Sequence, residues 1–211
     1  MTFNQFKNTF KIFPLISSFQ VLRLISKRQL TRWQRKDLII KLRRGIYILN
    51  EHDRRIQPSR IFLANQLYFP SYVSAEHAIG YYDLIPERVE DVTSVTTKKT
   101  AQFTNPFGVF AYQHLRTDLF FGFKEIPDEN KLPVLIAEPE KAMLDFIYLN
   151  LADFKNEDND IFSLSYRLQN LDKLKKNRLM AYANRFKNKT LLSVVKNLLS
   201  FMKESIWLCS I

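Results

Sequence analysis

The sequence predicts an α+β protein, in which three short helices and a β-hairpin precede a mixed α/β region that ends in helices. Three observations lead there. Apolar residues recur at helical spacing up to residue 36 and then condense into two β-prone runs around Gly45. Beyond residue 58, helical patterns alternate with β-branched runs. Charge divides the chain as well: of 32 Lys+Arg and 21 Asp+Glu residues, 14 basic and 3 acidic fall within residues 1–60, and the remaining 18 of each sign cancel over 61–211. The whole net charge of +11 therefore belongs to the first sixty residues, the asymmetry expected when one unit meets a polyanion and another does not.

A length of 211 residues accommodates one large domain or two small ones. The charge division predicts two, 1–50 and 58–211, joined by the polar run from Asn50 to Pro58, which has no apolar period. With 46% hydrophobic and 14% aromatic residues, the composition argues against global disorder. The lone Cys209 has no internal disulfide partner, and the opening residues lack the order of a secretory signal. Both fit a reducing cytoplasm. The apolar stretch Leu191 to Ile211 is broken by Lys196, Lys203 and Glu204, so it reads as an amphipathic helix on a core rather than a membrane span.

Element by element, Phe3, Phe6 and Phe10 give a first helix one aromatic face before Pro14. Ser17 and Ser18 offer N-caps for a short second helix carrying Phe19, Val21 and Leu22, and Ser26 for a third, Lys27 to Lys36. In that third helix Leu30 and Trp33 face inward, while Lys27, Arg28, Thr31, Arg32, Gln34, Arg35 and Lys36 remain for solvent. Leu38 to Leu42 and Ile46 to Leu49 then form a hairpin around Arg43-Arg44-Gly45, with Gly45 supplying a positive φ. Three helices and a hairpin in this order are those of a winged helix-turn-helix, whose last helix enters the major groove of double-stranded DNA while the wing follows the backbone. Arginine and lysine neutralise phosphates, arginine bridges a guanine edge, and Gln34 is suited to adenine. The predicted DNA contacts are thus the exposed residues of the third helix, with Lys41, Arg43 and Arg44 on the wing.

In the neutral region, Pro58 to Leu67 reads as a helix and Ser74 as the cap of another that contains Ala75, Ala78, Ile79 and Tyr82. Val92 to Thr97, Gly108 to Leu115 and Leu132 to Ala137 read as strands. Pro139 opens a helix with Lys141 and Asp145 spaced for an ion pair, the acidic run Asn156 to Asp160 reads as a solvated loop, and two or three helices follow from about Phe162.

Several of these segments, taken in order, resemble the blocks of a known family. Leu42-Arg43-Arg44-Gly45-Ile46-Tyr47, Pro70 to Ala78, Tyr82-Asp83-Leu84-Ile85-Pro86-Glu87, Val92 to Thr97 and Ala137-Glu138-Pro139-Glu140-Lys141-Ala142-Met143-Leu144-Asp145 look like AbiEi-type antitoxins, which belong to type IV toxin–antitoxin systems of bacterial abortive infection. His77 departs from the pattern, standing where a small or apolar residue is expected, and residues 150–211 match no block. The resemblance implies a repressor that binds repeats in its own promoter through the winged helix. It also implies a C-terminal domain that counteracts a nucleotidyltransferase-like toxin without a stable complex, and it assigns no residue to that neutralisation. The alternative reading is a protein-interaction module whose basic domain binds RNA or an acidic partner; exposed aromatics would favour RNA, and the aromatics here read as periodic and buried.

Little in the sequence points to an enzyme. His52, His77 and His114 have no Cys or carboxylate at metal-ligand spacing, and four glycines form no phosphate loop. No serine sits in a Gly-x-Ser-x-Gly context, and Cys209 has no evident base. Glu138, Glu140, Lys141 and Asp145 are the most enzyme-like group, yet the dipole of the helix they begin and an ion pair account for them. The expectation is a protein without catalysis, metal or cofactor.

Overall fold

The computed structural model describes residues 1–154 and 161–208, so the acidic run Asn156 to Asp160 and Cys209 lie outside the described residues. The architecture is α+β, with two sheets of three and six strands and eight α-helices among those residues.

Local capping chemistry fixes the first helices. α1 (Phe3–Phe10) and α2 (Ser18–Leu24) each begin in a capping box: Thr2 with Gln5, and Ser17 with Gln20, exchange side-chain and backbone hydrogen bonds that satisfy otherwise orphaned N–H groups. α3 (Lys27–Arg35) starts at Ser26, whose hydroxyl accepts from the Gln29 N–H at 3.2 Å. The strands β2 (Ile39–Arg43) and β3 (Ile46–Leu49) form the expected antiparallel hairpin, with Gly45 at φ +88° in its turn. A two-residue strand that the sequence reading did not contain, β1 (Ile16–Ser17), pairs with the far side of β3, giving the order β1-β3-β2.

Side-chain alternation along the hairpin decides how the two parts of the chain meet. Ile39, Tyr47 and Leu49 face a small core with Phe6, Phe10, Leu30 and Trp33. Leu42 and Ile48 point the other way, into the large core of the remainder. The connecting run is held from both ends as well: the Arg55 N–H donates to the Lys11 carbonyl at 2.8 Å, and the Asn130 amide donates to the Gln57 carbonyl at 2.6 Å.

The larger sheet has the order β6-β7-β5-β4-β9-β8. Its strands are β4 (Ser71–Val73), β5 (Val92–Thr96), β6 (Ala101–Asn105), β7 (Gly108–His114), β8 (Phe123–Pro127) and β9 (Pro133–Ala137). β5 and β7 run parallel, as do β4 and β9, and the other neighbours are antiparallel. Every residue of β4 and β5 is buried, so both faces of the sheet's centre are covered. α4 (Arg60–Leu67) lies on β4, β5 and β9, while α5 (Ala75–Tyr81) packs on α6 (Pro139–Leu149). α7 (Lys176–Arg185) and α8 (Lys189–Leu208) complete the chain. α8 buries Leu191, Val194, Val195, Leu198 and Met202 along one stripe, the amphipathic pattern expected, and no helix among the described residues is long and apolar enough to cross a membrane.

At the sheet's centre the Lys141–Asp145 pair is fully buried. The Asp145 carboxylate also accepts from the Tyr72 hydroxyl at 3.1 Å and the Ser74 hydroxyl at 2.8 Å. Ser74 was expected to cap α5; its hydroxyl is committed to Asp145 instead, and α5 starts without a side-chain cap. Asp145→Ala is expected to cost about 3–5 kcal/mol in urea unfolding, because it leaves a buried ammonium without a counter-charge. The Lys141→Met/Asp145→Asn double variant, which keeps an acceptor for Tyr72 and Ser74, should lie close to wild type. A double variant as unstable as Asp145→Ala would contradict this account.

Alkali provides a second check. Burial raises the pKa of Tyr72, Tyr82, Tyr112, Tyr166 and Tyr182; at Tyr72 the Asp145 carboxylate adds to the effect, and Tyr166 is pushed up to about 12. Groups whose folded pKa lies above the unfolded value of about 10 stabilise fully below that pH and lose their contribution as pH rises through the folded values. Lys141, lowered mainly by burial, acts in the opposite sense but is one group against five. Urea midpoints measured from pH 9 upward should therefore fall steadily above about pH 10.

Candidate nucleic-acid interface

α3 owes its orientation to its apolar stripe. Leu30 and Trp33 are its buried residues, and the Trp33 indole meets the Phe3 and Phe6 rings, each at a centroid distance of 5.2 Å. At 3.6 residues per turn, the opposite face is centred on Arg28 and Arg35 and flanked by Thr31 and Arg32. Lys27, Arg28, Thr31, Arg32, Arg35 and Lys36 are all exposed. Gln34 is half-buried beside the Leu30 stripe, so the structure moves it to the margin of this face, away from its predicted place among the groove residues.

The electrostatics of this face serve the helix only in part. Arg32 and Arg35 lie in the last turn, where the dipole favours cations, but Lys27 and Arg28 lie in the first turn, where it opposes them. Among the described residues no ion pair engages Lys27, Arg28, Arg32, Arg35, Lys36, Lys41, Arg43 or Arg44. Two surface hollows flank α3. One, of about 410 Å³, is lined by Phe3, Gln29, Arg32, Trp33 and Lys36 among others, and the second, of about 350 Å³, by Ser26, Arg28, Gln29 and Arg32. Gln29, absent from the predicted contacts, lines both; its place one turn before Arg32 is the signal that would have found it.

At the hairpin, Lys41 and Arg44 are exposed, whereas Arg43 is half-buried with its guanidinium 5.4 Å from the Phe103 ring centroid. Its Nε is buried without a hydrogen-bond partner. The turn is pinned to α2, since the Ser18 N–H donates to the Gly45 carbonyl at 2.8 Å. The aromatics do not all follow the predicted burial. Phe19 is 64% exposed, with the Arg23 guanidinium 4.0 Å from its ring centroid, because Val21 is the α2 side chain that turns into the core.

Of the carboxylates singled out in the second region, Glu138 and Glu140 have structural partners, although Glu140 Oε2 is buried without a hydrogen bond of its own. Glu138 pairs with Arg178 at 3.1 Å and accepts from the Tyr182 hydroxyl at 2.6 Å, while the buried Glu140 accepts from the Lys175 N–H at 2.9 Å. The His77 Nδ1–H donates to the Asp91 carbonyl at 3.0 Å, and burial lowers the pKa of the ring. His52 and His114 are exposed, and among the described residues no group of three His, Cys, Asp or Glu side chains is arranged to hold a metal.

No family model matches the chain, and a search of curated proteins finds no match.

Gly45→Ala places a Cβ on a left-handed residue, and the expected penalty is about 1–2 kcal/mol in urea unfolding. Unchanged stability would show that the turn does not require its positive φ.

Proposed function

We propose that this protein is a non-enzymatic DNA-binding antitoxin that represses its own operon, with residues 1–50 forming a winged helix-turn-helix and residues 58–211 the antitoxin region. The observation that carries the DNA-binding part is the exposed α3 face, where five cations without ion-pair partners among the described residues surround Thr31, with Lys41 and Arg44 exposed on the hairpin that follows. Lys27 and Arg28, which stand against the helix dipole, and the other unneutralised cations of the face are what an external polyanion would balance, and a helix followed by a basic hairpin suits a major groove and its flanking backbone.

The antitoxin part rests on the resemblance of the five sequence blocks to AbiEi-type antitoxins. The packing is consistent with one folding unit built from those blocks: Tyr72 and Ser74 of the second reach Asp145 of the last, Tyr82 donates to the Ala137 carbonyl at 2.8 Å, and β4 pairs with β5. On this reading the promoter repeats are the DNA ligand and a nucleotidyltransferase-like toxin is the functional partner, countered without a stable complex. The exposed Phe19, stacked under Arg23, favours a second reading in which the basic unit binds single-stranded RNA.

Fluorescence anisotropy on duplex from the protein's own upstream region, on a scrambled duplex and on single-stranded RNA separates these readings. The upstream duplex should bind best at physiological salt, and Arg28→Ala or Arg32→Ala should each weaken it by about 1–3 kcal/mol. Arg44→Ala should flatten log K against log[salt] by about one unit. Equal affinity for both duplexes, or preference for RNA, would count against sequence-specific repression.

A further inference from the structure

The hairpin does not stand free of the second sheet. It lies against β6, the edge strand, where the Asn105 amide donates to the Leu42 carbonyl at 3.3 Å and Arg43 rests on Phe103. Between the two runs a groove of about 430 Å³, lined by Lys41, Arg43, Arg44, Gln102, Phe103 and Thr104 together with Leu42. Among the described residues no carboxylate lines it. From the hairpin it takes three cations, and one of them, Arg43, keeps a buried Nε donor for which the protein supplies no acceptor. From β6 it takes Gln102 and Thr104, which are exposed at alternate positions of the strand and carry neutral donors. An edge strand also leaves part of its backbone N–H row unpaired.

We propose that this groove binds backbone phosphates of duplex DNA, with Gln102 and Thr104 as contacts from the second sheet, so that the footprint extends beyond α3 and the hairpin turn. Cations, neutral donors and unpaired N–H groups, in a groove free of carboxylates, are the set that holds phosphodiesters without reading bases. Arg44 and Lys41 belong both to the hairpin and to this groove, so the groove continues the basic surface of the hairpin. Because the hairpin is packed into the large core through Leu42 and Ile48, the groove has a fixed width and does not require assembly on binding.

The inference rests on the duplex-binding reading above, and the experiment separates the two. The full chain carrying Gln102→Glu/Thr104→Glu is compared by anisotropy with wild type on the upstream duplex over a range of salt. A control, Asn184→Glu/Thr190→Glu, adds the same charge at exposed positions of α7 and α8. Thermal melts establish that both variants are folded. The groove variant should bind about tenfold more weakly than the control, with a salt slope shallower by about one unit. Gln102→Ala/Thr104→Ala should move affinity in the same direction by a smaller factor. Equal losses in groove and control variants would overturn this inference while leaving duplex binding intact, and a groove variant impaired only on single-stranded RNA would overturn it too. Wild-type protein that binds no duplex would overturn both.

Discussion

The ammonium of Lys141 and the carboxylate of Asp145 are withdrawn from water one helical turn apart on α6, and the surrounding structure is arranged to satisfy them. A buried pair is tolerated only when further hydrogen bonds and close packing offset its desolvation. Tyr72 and Ser74 supply the hydrogen bonds from β4 and the residue that follows it. The Tyr72, Phe121 and Phe186 rings lie 5.0–5.6 Å from the ammonium, where aromatic faces partly replace water. Gly122 lets the lysine stem pass, since a Cβ there would stand 3.1 Å from Lys141 Cβ. One pair thereby fixes β4 against α6, sets the loop before β8, and takes the hydroxyl that α5 would use as its cap. Ala75 follows in a left-handed conformation, at φ +49°, where an L-residue sits only under the compulsion of its neighbours.

This constraint explains which parts of the fold were legible in the sequence. α1, α2, α3 and the β2–β3 hairpin are written in local chemistry: capping residues, an aromatic stripe and a glycine with positive φ. β5, β7 and β9 announce themselves through β-branched or alternating residues. β4 does not, because three residues buried on both faces have neither alternation nor length, and their identity as a strand depends on Asp145 and on two sheet neighbours. β6 and β8 are the two edge strands, and their polar residues, with Pro127 closing β8, read as loop when seen alone.

The candidate interface was legible for the same reason and to the same extent. Trp33 and Leu30 define the buried stripe of α3, and that stripe dictates where Arg28, Arg32 and Arg35 must point. Gln34 sits closer to the buried stripe than its neighbours, and the sequence did not show this because a stripe marked by two apolar residues leaves its flanks undetermined. On α2, four apolar residues within seven give no direction, so the burial of Val21 and the exposure of Phe19 are decided by tertiary packing. Arg43 looked like a free member of a basic turn, yet its aromatic partner lies sixty residues later in the chain.

Charge and packing draw different boundaries through this molecule. By charge, the chain divides near residue 60; by packing, the hairpin belongs to both sides, with Tyr47 and Leu49 in the small core and Ile48 between them in the large one. The small core must hold together a segment of net charge +11 in which Lys7 with Asp53 is the ion pair among the described residues. Self-repulsion of that size works against a compact state. The Phe6, Phe10 and Trp33 cluster opposes it, as does the anchoring of Leu42 and Ile48 in a neutral body, which spreads the load beyond the charged segment itself. A basic unit stabilised in this way does not depend on neutralising its own cations internally, which is why the cations of α3 and of the hairpin tip stand without ion-pair partners among the described residues.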